Sequence, residues 1–325
     1  MWTWWLGRDA LIRHNKNYFG QVGPGPTVAA LEAELAEYCG VEACVVVSSG
    51  SAALYLAARE MGFHRGPAGV CIPSYACLSL YNAIAMLSVF PRLADVDLDT
   101  FNSGCDVVID TYGVPAIGSP DESIRDITHS IGSRLEPSAL YVASFGATKP
   151  LGVGQGGCIL GPESDIGHIR RKLKYDSVIV GFNFGLSDVM AGIALMRLRN
   201  LDSDNEWRRS TAWRYVKALD GERKVHGQYS NNRTWYRFVM LVDARERDSL
   251  RLEHFQNRFG IETITPIRPD ELIHRHLGLD PALYPNSEEI ASTTLSIPIW
   301  PGMSESDVNM VCEALRSIPD FEASR

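Results

Sequence analysis

No run of apolar residues in this 325-residue chain approaches the length needed to cross a membrane. Nor is there an excess of basic residues. Thirty-one Lys and Arg stand against 39 Asp and Glu, a formal charge of −8, which argues against broad, sequence-independent nucleic-acid binding. The seven cysteines are odd in number and none is paired in C-x-x-C spacing. Neither a disulfide framework nor a zinc site is therefore favoured, and reduced thiols in a cytoplasmic setting fit best. Internal repeats and low-complexity tracts are lacking. The apolar opening Met1-Trp2-Thr3-Trp4-Trp5-Leu6 meets Arg8 and Asp9 too soon for a signal-peptide core, and reads as an arm that packs on the body or on a second subunit.

What is present is a chain with 45% hydrophobic residues, enough for one large domain and a smaller one. Apolar positions 28, 31, 35 and 38 have helical spacing closed by Gly40. Ala43-Cys44-Val45-Val46-Val47 is a continuous apolar strand that leads through Ser48-Ser49-Gly50-Ser51 into a helix from Ala52 to Met61. Such a strand, glycine turn and helix can hold a phosphate on first-turn amides and serine hydroxyls, although Ser and Gly also cap helices that bind nothing. Strands at 70–72, 91–97 and 107–110 alternate with a helix at 78–87 and are followed by a strand end at Asp126, with His129 three residues on. That alternation predicts an α/β fold with a mostly parallel sheet, whose ligands sit at the carboxyl ends of the strands.

The chemistry centres on Ser144-Phe145-Gly146-Ala147-Thr148-Lys149, which follows the short buried strand Tyr141-Val142-Ala143 and precedes a glycine-dense turn and a second apolar run, Cys158-Ile159-Leu160. A lysine at a strand end can form a Schiff base with an aldehyde cofactor if burial frees its amine for attack; the commoner fate of a loop lysine is plain exposure. Gly152, Gly154 and Gly157 also satisfy G-x-G-x-x-G. A dinucleotide fingerprint must open a helix, however, and this turn leads into a strand-like run.

Further on, 164–175 reads as a polar helix, and Ser187 and Asp188 as caps of an apolar helix from Val189 to about Leu201. The charged stretch Asp202 to Arg209 is taken as the boundary, giving a large domain at 1–205 and a small α+β domain at 206–325. The latter carries a strand at 235–242, a helix at 248–258, a strand at 261–265 and a closing helix at 304–318. Arg268 in its loop is a possible anion contact and equally an ordinary solvated arginine.

Taken in order, Ser49-Gly50-Ser51-Ala52-Ala53-Leu54, Pro73-Ser74-Tyr75, Asp95-Val96-Asp97-x-Asp99-Thr100-Phe101-Asn102, Asp126-x-x-His129, the Lys149 segment with Gly154-Gln155-Gly156-Gly157, Gly181-Phe182-Asn183-Phe184 and Ser296-Ile297-Pro298-Ile299-Trp300-Pro301-Gly302 resemble the signatures of the DegT/StrS sugar aminotransferases. The likeness covers nearly the full chain. It implies a fold-type I pyridoxal 5'-phosphate enzyme that moves an amino group from an amino acid, usually glutamate, to a keto-sugar, usually nucleotide-linked. By that resemblance Lys149 carries the cofactor and shuttles a proton, Asp126 pairs with the pyridine nitrogen, and His129 lies beside the ring. Gly50, Ser51, Ala52 and Ser144 surround the phosphate, and Asn183 reaches it from the other subunit of a symmetric homodimer.

Three departures qualify the likeness. Cys77 stands where the family stacks an aromatic ring, so that Tyr75 or another side chain would cover the cofactor. Gly185 stands where the family often has an arginine, which bears on recognition of the substrate's charged portion. Asn102 and Asp126 are only 24 positions apart, room for one minimal crossover, and the sheet face so uncovered is expected to be shielded by the tryptophan-rich arm or by another chain. The alternatives are other pyridoxal-phosphate chemistry on a sugar or cyclitol, such as dehydration, and a non-catalytic descendant serving as a binding partner. Lys149 favours transamination over the dehydratases, which replace the lysine with histidine.

Overall fold

A computed structural model describes residues 25–65, 69–116, 123–135, 138–173, 181–221 and 223–319. The tryptophan-rich opening lies outside the described residues. Helix α1 (Pro26–Cys39) ends where Gly40 turns left-handed at φ 67°, and its buried Val28, Leu31 and Leu35 lie on one face. Strand β1 (Ala43–Val47) is buried at every position, as a run with no polar alternation requires. Helix α2 (Gly50–Glu60) starts from Ser49, whose hydroxyl accepts from the Ala52 amide. There follow β2 (Val70–Pro73), α3 (Leu78–Ala85), β3 (Pro91–Ala94), β4 (Val107–Ile109), β5 (Ile124–Asp126), β6 (Leu140–Ser144), β7 (Gly157–Gly161) and α4 (Glu163–Lys172).

The central sheet has the order β1-β7-β6-β5-β4, with β7 alone running against the others. The fold is thus α/β with a mostly parallel central sheet. The parallel strands bring the turn after Val47, Asp126 and Ser144 to one edge, the edge at which such sheets bind ligands. Because Gly157 begins a strand, the glycine turn does not open a helix. Strands β2 and β3 form a separate parallel pair tied to the main sheet by the Cys71 amide, 2.7 Å from an Asp106 carboxylate oxygen. One face of the sheet is covered by α2, α3 and α4, the other by α1 and the start of α5 (Asp188–Ala218).

Helix α5 corrects the expectation that a helix stops near Leu201: it runs unbroken through the charged stretch 202–209. Most of those charges sit on the helix surface, with Arg208 alone among them buried. Tyr38 donates to Asp202 at 2.6 Å, and Glu206 and Arg209 pair along one turn. The first half of α5 buries Ala191, Ala194, Leu198 and Leu201 against the sheet, whereas the second buries Ala212, Tyr215 and Ala218 in a separate apolar core. That core also takes in β8 (Phe238–Leu241), β9 (Thr294–Ile297), which directly follows α6 (Pro285–Thr293), and α7 (Glu305–Arg316).

Strand β8 is shorter than expected because Trp235 adopts φ 55°, which breaks the extended run. Residues 261–265 do not form a strand: held between Gly260, at φ 67°, and Pro266, they contribute one bridge, Ile264 to Ser296. Asp188 caps a different helix from the one expected. Its carboxylate accepts from the Val28 amide of α1 at 2.9 Å, while Ser187 caps α5.

The crossover from β4 to β5 carries a single short turn, Thr111–Gly113, among its described residues. Beside this crossover Tyr75, Phe101 and Tyr112 pack with Val239, Leu272, Ile290 and Ala291 from the later part of the chain. The arm expected to shield the sheet face lies outside the described residues. Beneath them Arg125 and Asp110, both buried, pair at 2.8 Å, and Asp110 also accepts from the Ala116 amide and Ser130 Oγ.

Candidate active site

Lys149 stands on a loop that is closed at both ends. The Phe145 amide donates to the Gly156 carbonyl and Val153 returns a bond to Phe145, whose ring is fully buried. Within the loop, a Cβ on Gly152 would lie 2.4 Å from the Ala147 carbonyl oxygen, so only glycine permits this winding. The loop hangs Lys149 over the strand ends, where its Nζ lies 2.9 Å from His129 Nε2. The His129 ring is stacked on Tyr236 at 4.2 Å and 10° between planes, and its carbonyl accepts from Thr234 Oγ1 at 2.6 Å. The segment 234–236 from the far part of the chain thus fixes the imidazole in place.

Asp126 closes β5, and one of its oxygens accepts from the Thr128 amide at 2.9 Å; Thr128 Oγ1 in turn accepts from the Ser144 amide. Burial, opposed by the Thr128 hydrogen bonds and the charge of Lys149, raises the Asp126 carboxyl above its ordinary range. His129 is pushed well below its usual value by burial, then by Lys149 and Arg237, so it is neutral near pH 7. An amine, a neutral imidazole and a carboxylate in want of a cation therefore share one strand edge.

Gly50, Ser51 and Ser144 meet at this edge. A Cβ on Gly50 would stand 2.6 Å from Ser144 Cβ, so the glycine lets the first turn of α2 close on the serine. Ala52 is buried and its amide is taken by Ser49 Oγ, which assigns that amide to capping. Asn183 is exposed, on the segment before α5. Cys77 is exposed at the start of α3 with Sγ 3.0 Å from Ser79 Oγ. Tyr75 is not brought to the site: it is 1% exposed, edge-on to Phe101, with its hydroxyl 2.7 Å from that of Tyr112. Sequence reasoning missed Tyr236 and Arg237, which it read only as strand residues. Beside Lys149 both line a cleft of about 1120 Å³ that runs to Trp300 and Met303.

A pyridoxal phosphate fits the residues present. His129 Nδ1 is buried without a hydrogen-bond partner, a donor or acceptor that a bound oxygen would satisfy. Asp126 is destabilised as a carboxylate by burial and would be relieved by a pyridinium N–H. The glycine-backed start of α2 presents amides suited to a phosphate.

Known proteins resemble this chain in sequence and fold. The chain is 25% identical to the spore coat polysaccharide biosynthesis protein SpsC of Bacillus subtilis (strain 168), with 92% of this chain and 91% of that protein aligned. A DegT DnrJ EryC1 StrS aminotransferase from Brucella abortus superposes with a TM-score of 0.79 at 24% identity, covering 96% of this chain and 97% of that one. DesV of S. venezuelae, solved in complex with a ketimine intermediate, gives 0.80 at 25% identity over 95% of this chain and 93% of its own. Family and neighbours are pyridoxal-phosphate-dependent aminotransferases of fold type I. The family's sequence pattern matches residues 14–108 and 123–316, on both sides of the shortened crossover, and the chain belongs to the DegT/DnrJ/EryC1/StrS aminotransferase family.

Proposed function

We propose that this transaminase, whose role in sugar biosynthesis its family supports, takes its amino group from L-glutamate and delivers it to a nucleotide-linked keto-sugar in the cytoplasm. The observation that carries the reading is Lys149 Nζ held against a neutral His129 at the strand edge that also bears Asp126. The acceptor class is supported by SpsC, named for polysaccharide biosynthesis, and by a cleft larger than an amino acid alone requires. All seven cysteines are free, as a reducing compartment demands, and among the described residues no helix is long and apolar enough to cross a membrane.

The bound cofactor supplies an electrophilic carbon and a ring that accepts an electron pair. Lys149 would hold it and, once displaced by the donor amine, carry a proton between substrate carbon and cofactor. His129 Nε2, 2.9 Å from Nζ, would steer the amine, and Asp126 would keep a proton on the pyridine nitrogen. Gly50, Ser51 and Ser144 would bind the phosphate. Tyr236, stacked on His129, keeps water from one side of the imidazole.

A homodimer with shared sites completes the proposal, over a large unit at 1–205 and a small one at 206–325 that meet within α5. Val189, Ile193 and Met196 are exposed along one face of α5, 73%, 40% and 66% respectively, just after the exposed Asn183. Met196→Glu should convert the dimer to a monomer with weakened cofactor binding in light scattering and absorbance titration; a monomeric wild-type chain with full cofactor affinity would sink the shared site. The activity itself is tested with glutamate labelled at nitrogen and a set of nucleotide-linked keto-sugars. Labelled amino-sugar in the mass spectrum is the expected product, and label returned only to amino acids across the set would refute the acceptor class.

A further inference from the structure

The family's arginine is missing at Gly185, yet the cleft holds another cation in a position that nothing so far has used. Arg237 is half-buried, lines the same cleft as Lys149, and has no carboxylate within 4.0 Å among the described residues. Its guanidinium makes one long bond, 3.4 Å to Ser296 Oγ. Lys149 Nζ and the Arg237 guanidinium carbon lie 5.6 and 5.5 Å from the centroid of a single ring, Tyr236, and all three side chains line the cleft. The other arginines of this region are accounted for. Arg268 is exposed and paired with Asp270 and Glu271, Arg208 donates to Asn205 Oδ1, and Arg197 is exposed on α5.

A guanidinium taken partly out of water without an anion is costly, and its planar fork matches a carboxylate. We infer that Arg237 is the specificity residue that binds a carboxylate of the amino donor, in the role left vacant at Gly185. This rests on the transaminase reading, and its geometry favours the donor over the sugar diphosphate: a carboxylate a few carbons from the amine that reaches Lys149 falls within the span around Tyr236. Donors with a second carboxylate would be preferred over those with an apolar side chain.

The test uses the cofactor-loaded protein and reads binding without turnover. Calorimetric titration with glutarate, a dicarboxylate with no amine, should give a dissociation constant about tenfold or more weaker for Arg237→Gln than for wild type, with Arg237→Lys between them. In the half-reaction KM for glutamate should rise by the same order while kcat moves less. Unchanged lysine-bound cofactor absorbance shows that each variant is folded. Should Arg237→Gln weaken a nucleoside diphosphate and leave glutarate untouched, the guanidinium serves the acceptor and the inference is wrong; no change in either overturns an anion site here. Should glutarate binding depend on Arg237 while no nucleotide-linked keto-sugar is aminated, the inference stands and the proposed acceptor falls.

Discussion

Replacing Lys149 with alanine is expected to abolish amino transfer, by at least about 10³-fold, and with it the cofactor's lysine-bound absorbance, because one amine serves as both attachment point and proton carrier. The loop that presents it is built from backbone bonds, Phe145 to Gly156 and Val153 to Phe145, and from the buried Phe145 ring, none of which involves the Lys149 side chain. Folding and thermal stability should therefore change little. Removing the amine also leaves His129 Nε2 without its partner at 2.9 Å, a loss that water entering the cleft can make good. Borohydride reduction of the loaded wild-type protein followed by peptide mapping should place the cofactor on Lys149, and the alanine variant should retain no label. A label on another lysine in the wild type, or residual transfer in the variant near the wild-type rate, would reassign the chemistry.

The second large effect concerns stability. Arg125 is fully buried against Asp110 beside the short β4–β5 crossover. Asp110 binds the Ala116 amide and Ser130 as well, and Arg125 donates to the Ala116 carbonyl, so the minimal crossover is laced from both ends. Burial already pushes the Asp110 carboxyl upward against the pull of Arg125. Arg125→Met leaves that carboxylate buried without a cation and should cost about 3–5 kcal/mol, read as a lower urea midpoint. Adding Asp110→Asn to it should restore part of the loss, since the amide oxygen still accepts from the buried donors without a buried charge. A single variant as stable as wild type would show that the crossover does not depend on the pair. Because Asp126 follows Arg125 directly in β5, the single variant should also loosen the cofactor.

Much of this arrangement is legible in the chain itself. The unbroken apolar runs 43–47 and 141–143 announce buried strands, and Ser49-Gly50-Ser51 announces the turn into α2, because local rules govern both. The likeness of Asp126, His129 and Lys149 to family motifs singled out three residues that the sheet does bring to one edge. Other features depend on contacts between distant segments. Tyr236 matters because its ring meets His129, and Arg237 because no carboxylate among the described residues pairs with it; neither fact has a local signature. Tyr75 was a candidate to cover the cofactor, but it packs among Phe101, Tyr112, Val239, Leu272, Ile290 and Ala291. The continuation of α5 through 202–209 was hidden because a helix that spans two cores needs no apolar stripe where it passes between them.

The absorbance spectrum of the purified protein loaded with pyridoxal phosphate, recorded before and after glutamate, tests the central claim most directly. The account predicts a long-wavelength band from cofactor on Lys149 that gives way on glutamate to the shorter-wavelength absorbance of the aminated cofactor. A protein that forms no such band, or whose band ignores every amino acid offered, would contradict it.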